Sequence, residues 1–197
     1  MLTTDWRPEW GNIYSWVAMD KNGYLAFMLN NCWGWLLKVY INIPNISELY
    51  VDLSEFIYCE SAKYENSIQK NGDFSVDLFS YWRYKHYSQE TVFTSYKNRL
   101  DEGNKLTDAY LATQKGIFVF EGIEGYNQGE DFPVGYEGET KMGDYFRHLV
   151  PTIYATISDI PIPLRQYIVV SDTLDFTKDR ILDNDKISEY FTRMYSI

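Results

Sequence analysis

Two histidines, two cysteines and 28 carboxylates are the side chains best suited to chemistry in this 197-residue chain, and their spacing limits what they can do. His86 and His148 stand far apart, and neither has a histidine, cysteine or carboxylate nearby at metal-ligand spacing. A lone histidine among aromatic residues, as in "YWRYKHY" and "YFRHLVP", reads as packing or surface. Cys32 lies between Asn31 and Trp33 with no adjacent base or cationic helix start to activate it. It reads as a small buried residue, and Cys59 has no better claim to nucleophilic chemistry. The two cysteines make no disulfide framework. No G-x-S-x-G elbow, phosphate loop or G-x-G-x-x-G turn occurs. Paired carboxylates lined by aromatic rings are the one enzymatic pattern that the composition leaves open, because glycoside cleavage needs those groups. The expectation is a protein that is not an enzyme and has no cofactor, no metal and no catalytic residue. The alternative is a carbohydrate-binding or carbohydrate-active protein.

The acids are not spread evenly. Residues 121–144, "EGIEGYNQGEDFPVGYEGETKMGD", hold seven acids against one lysine and half of the 12 glycines. Glycine-rich connections run over the surface and gather recognition residues. Within this segment Glu130, Asp131, Glu137 and Glu139 are expected to face a basic partner, with Tyr126, Phe132 and Tyr136 as anchors. The formal net charge of −10 points the same way: it repels phosphate backbones, so nucleic acid is not the expected partner, and it speeds encounter with a basic protein. The N-terminus "MLTTDWRPEWGN" carries no signal-like apolar core, and no apolar run approaches a bilayer span, so a cytoplasmic protein without membrane contact is expected.

A single α+β domain must position these groups. Asn12 to Met19 and Tyr24 to Leu29 read as two strands, with Asn22-Gly23 supplying the positive φ of a tight turn. Both faces of the first strand are mostly apolar, which places it inside a sheet or under a helix. The mostly antiparallel sheet is expected to pack against several helices. "NNCWGWLLKVYI" is ambiguous between a strand and a loop. Asn45 is a candidate N-cap, with Glu48 at the capping-box position, for a helix whose apolar stripe is Ile46, Leu49, Leu53, Phe56 and Ile57. Phe74, Leu78 and Trp82 share a helical face and predict a second helix over 73–87. Leu106, Ala109, Tyr110 and Thr113 predict a third over 105–114, closed by Gly116. Ile117–Phe120 is a short apolar strand. The acidic segment reads as a loop or a glycine-bent hairpin around 131–136. "IPIP" at 160–163 is extended or turning, 167–171 is a strand, and 186–194 is a closing helix capped by Asn184 or Asp185.

"YSWVAMDKNGYLAFM" also resembles the opening of a group of small bacterial immunity proteins, encoded beside polymorphic or contact-dependent growth inhibition toxins. Their pattern is aromatic-Ser-Trp-apolar-Ala-x-Asp-x-x-Gly-x-apolar-Ala-x-Phe; Ser15, Trp16, Ala18, Asp20, Gly23 and Ala26 match it here, and Phe27 directly follows Ala26 instead of standing one residue further on. "QKGIFVFEG", "YFRHLVPTIY" and "IPIPL" echo the group in the same order, whereas "NNCWGWLLK" keeps Gly34 and lacks the usual proline. The resemblance implies a cytosolic protein that binds and blocks one toxin domain, a nuclease in many such systems. It brings no catalytic residue with it. The hairpin then serves as scaffold, and the contact surface lies elsewhere.

Overall fold

Strands β1 (Ser15–Met19) and β2 (Leu25–Leu29) form the expected antiparallel hairpin. In this computed structural model, which describes residues 6–41, 43, 46–60, 62–64, 70, 72–101 and 108–196, the turn between them is fastened by a buried acid. Asp20 Oδ1 accepts the amides of Asn22 and Tyr24, each at 2.9 Å, and its Oδ2 accepts the Phe176 amide at 2.8 Å. Gly23 takes φ +84°, a left-handed value that strains residues with a Cβ.

The hairpin lies in the middle of an eight-stranded sheet, ordered β10-β8-β1-β2-β5-β7-β3 with β9 alongside β7. The remaining strands are β3 (Phe74–Val76), β5 (Phe118–Gly122), β7 (Tyr145–Pro151), β8 (Val169–Val170), β9 (Ile181–Leu182) and β10 (Arg193–Met194). β1 runs parallel to β8 and β2 runs parallel to β5, whereas the other pairings are antiparallel. A separate two-stranded ladder joins β4 (Phe79–Ser80) to β6 (Pro133–Val134).

Alternation within the strands explains why both faces of β1 are apolar. Val17, Phe27 and Val119 align across three strands and pack with Leu53, Phe56 and Ile57 of α2 (Ile46–Tyr58), Val92 and Tyr96 of α3 (Gln89–Asp101), and Ala112 of α4 (Asp108–Gln114). Trp16, Met28 and Phe120 align on the opposite face. They pack with Tyr40 of α1 (Lys38–Ile41), Phe176, Phe191, and Ile187 of α6 (Ile187–Tyr190). The period of two thus divides one chain between two cores. Trp16 and Phe27, each 1% exposed, are core residues of the hairpin.

α4 ends as its sequence predicts. The Ile117 amide donates to Ala112 O and the Gly116 amide to Thr113 O, the two bonds of a Schellman motif. Gly116 has φ +79°, and a Cβ there would stand 2.5 Å from Ile153 O. Asn45, Lys105 and Leu106 lie outside the described residues, as do the side chains of Ile46, Glu48 and Leu49.

Four expectations are corrected. Residues 73–87 are not a helix: Phe74 and Val76 alternate on β3, paired with β7, and cross-strand pairing outweighs the helical spacing of Phe74, Leu78 and Trp82. "NNCWGWLLKVYI" gives a turn and the one-turn helix α1 instead of a strand. "IPIP" leads into the one-turn helix α5 (Ile162–Arg165), where Pro163 fits because the first turn has no amide bond to lose. The closing helix shrinks to α6, preceded by a short 3-10 turn that Asp183 caps and followed by β10.

Candidate functional site

The acidic segment is a braced platform. It leaves β5 through Glu121, a carboxylate only 1% exposed, and is anchored midway by Asp131, 3% exposed. Asp131 Oδ1 accepts from Ser80 Oγ and from the Trp82 amide, each at 2.9 Å, and its Oδ2 accepts from the Glu124 amide at 3.0 Å. One side chain therefore holds the platform, β4 and the 81–87 turn together. Burial pushes the Asp131 carboxyl above the ordinary aspartate value, against the opposing pull of the Trp82 and Glu124 amides. Its assignment as a residue facing a partner is corrected: an acid enclosed among its own donors braces the surface and cannot line it.

Arg83 makes the second brace. Its Nε donates to Glu124 at 2.5 Å and its guanidinium reaches Glu121 at 3.4 Å and Asn31 Oδ1 at 3.0 Å. The Glu121 charge, foremost, raises the guanidinium above its usual value, and burial pushes the Glu124 carboxyl up. Each ion compensates the other's desolvation, so removing the arginine would leave Glu121 buried without its counter-charge.

On this frame lie a band of three rings and a separate stacked pair. Trp10, 61% exposed, meets Tyr126, 63% exposed, at 4.9 Å between centroids with a 36° tilt. Tyr126 meets Trp82 edge-on at 5.6 Å. Next to Trp82 in sequence, Tyr81 stacks on Phe132 at 4.6 Å and 13°. Lys85 Nζ lies 4.7 Å over the Trp82 ring. Glu130 folds back on its own loop, where Oε2 accepts the amides of Tyr126 at 2.6 Å and Asn127 at 3.0 Å. These bonds, led by the one from the Asn127 side chain, hold its carboxyl below the usual glutamate value.

Of the expected contact residues, Tyr126 lies in the band, Phe132 in the stacked pair with Tyr81, and Glu130 fixes the Tyr126 backbone. Glu137 is exposed; Tyr136 and Glu139 border a second, shallow cavity of about 370 Å³ with Lys141, Asp183 and Tyr190. The expected residues thus divide between two places. Trp10, Tyr81, Trp82, Arg83 and Lys85 were not expected at the site. The aromatic-basic composition of "YWRYKHY" was visible, but its helical spacing suggested a buried stripe.

His86 is exposed, whereas the other histidine is built into the core. His148 is wholly buried, with Nδ1 2.7 Å from Leu78 O and Nε2 2.8 Å from the Tyr96 hydroxyl. A carbonyl only accepts, so Nδ1 donates to Leu78 O. Among the described residues, no group of three or more His, Cys, Asp or Glu could hold a metal ion, and no helix is long and apolar enough to cross a membrane. A separate cavity of about 450 Å³ is lined by Trp6, Arg7, Trp35, Lys38 and Glu189, among others.

The arrangement offers ring faces and carboxylate charge on a fixed backbone, a chemistry of binding. Compared with known proteins, the chain matches no family model, and neither a curated protein nor a solved structure matches it.

Proposed function

We propose that this chain is a non-catalytic binding protein that neutralises a cognate toxin domain of basic charge in the cytoplasm, as the resemblance of its N-terminal hairpin to immunity proteins implies. One observation supports this most: a band of large rings stays on the surface, at 61% exposure for Trp10 and 63% for Tyr126, although bonds from the buried Asp131 fix the backbone beneath it and Arg83 ties down the Glu124 side chain. Contiguous exposed rings on a rigid frame are characteristic of contact surfaces. The net charge of −10 adds long-range attraction to a basic domain, such as the cleft of a nuclease.

The test is co-expression with the protein encoded beside its gene. Rescue of growth and co-elution of the two purified proteins are expected. Failure to form that complex, or turnover of a substrate by this chain alone, contradicts the proposal.

The cavity of about 450 Å³ favours a second reading. Its two indoles, with Arg7, Lys38 and Glu189 beside them, suit a small polar ligand such as an oligosaccharide. Saturable quenching of tryptophan fluorescence by oligosaccharides would support that reading.

A further inference from the structure

We propose that the Trp10–Tyr126–Trp82 band is the docking face for an arginine- or lysine-bearing segment of a partner protein, with the partner's cation on the Trp10–Tyr126 ring pair. This inference rests on the reading of the chain as a binder of a basic domain, and deepens it by naming the face and the group it receives.

Charge is the first argument. Glu124, Glu130 and, next to Trp10 in sequence, Glu9 present carboxylates at or near the surface here, whereas Glu121 and Asp131 are buried beneath it. The region's two cations are already engaged, Arg83 with Glu121, Glu124 and Asn31, and Lys85 on the Trp82 ring. An incoming cation therefore meets an excess of negative charge, whereas an anion would be repelled.

Geometry is the second. Tyr126 is tilted 36° against Trp10 and stands at 80° to Trp82, so the rings form a corner and not a flat shelf. A corner grips a long, narrow side chain from two sides, whereas a pyranose ring needs a flat face. Within the chain, Lys85 already shows a cation seated on one of these rings at 4.7 Å. A guanidinium, planar and weakly hydrated, stacks better than an ammonium, so arginine is the preferred occupant. The corner is also pre-organised: Glu130 holds the Tyr126 amide, and little entropy is lost when the ring is covered.

The test is an NMR titration of the full chain with an oligoarginine peptide, in parallel with a citrulline peptide of equal length and a set of oligosaccharides. Saturable shifts of the Trp10 indole N–H and the Tyr126 ring are expected with oligoarginine alone. Trp10→Ala and Tyr126→Ala should each weaken binding about tenfold, while Tyr126→Phe, which keeps the ring, should bind like wild type. Both truncations remove exposed side chains, and unchanged melting confirms that the fold is intact.

Shifts at Glu139, Asp183 and Tyr190 with Trp10 unmoved would overturn this docking face and leave the proposed function standing. Equal binding of the citrulline peptide, or oligosaccharide binding at the band, would overturn the charge basis of both. Absence of any shift at Trp10 and Tyr126 at millimolar peptide would also overturn the inference.

Discussion

The β1–β2 hairpin and the platform at 121–136 use the same residue types to opposite ends. Both are rich in rings, and both are fastened by one buried aspartate that accepts three or more donors: Asp20 in the hairpin and Asp131 in the platform. In the hairpin, Trp16 is 1% exposed and meets the rings of Tyr40, Tyr145 and Phe191. On the platform, Tyr126 meets Trp10 and Trp82 from outside the segment, and Tyr126 and Trp10 stay exposed. A buried aspartate fixes a backbone in either setting. What separates scaffold from surface is whether a second layer covers the rings, and in this chain α1, α6 and the 174–176 loop cover one set only.

Breaking the hairpin should have the largest effect. Trp16→Ala is expected to cost about 3–5 kcal/mol, as for large rings truncated in a core, measured by denaturant unfolding; an unchanged midpoint would show that the hairpin is not core. Next comes Asp131→Ala, which leaves the Trp82 and Glu124 amides and the Ser80 hydroxyl without an acceptor. Its expected cost is about 1–3 kcal/mol, with faster hydrogen exchange at the Trp82 and Glu124 amides than at Trp16. Uniform loosening of the whole sheet would mean that the platform is not a separate unit held by this acid.

A smaller effect concerns pH. Burial raises the folded-state value of Asp131 above the unfolded value of about 3.8, so the folded protein holds this proton more tightly. Its contribution to stability is then fully present below the unfolded value and is lost as pH rises through the folded value. Wild type should therefore gain on Asp131→Asn as pH is lowered from roughly 7 to roughly 4, read from denaturant midpoints. A difference that shrinks over that range would contradict the burial of this carboxylate.

Local signals in the sequence were reliable where structure is local. The Asn22-Gly23 turn, the stop at Gly116 and the two-sided strand β1 follow from neighbours in the chain, and all are present. The parallel pairings of β1 with β8 and β2 with β5 depend on partners far along the chain, which no local pattern announces. Residues 74–82 misled because their helical spacing coexists with the alternation of Phe74 and Val76, and β7 decided between them. α3 gave little signal because its buried residues within the described side chains are only Val92 and Tyr96, on a mostly exposed helix. In the segment at 121–136, the exposure of Tyr126 and Phe132 is what a glycine-rich surface connection suggests. The sequence misplaced Asp131, because an acid in a glycine-rich loop looks the same on paper whether it faces water or its own backbone. It missed Trp10 and Trp82, which reach Tyr126 only through the tertiary fold.

The most direct test measures two quantities on one preparation of the Trp10→Ala, Tyr126→Ala double variant: its unfolding free energy and its affinity for oligoarginine. If these rings are a contact surface, stability should stay within about 0.5 kcal/mol of wild type, while affinity falls by about tenfold or more. A stability loss on the scale of Trp16→Ala, or an affinity equal to wild type, would contradict the division between a covered and an uncovered set of rings.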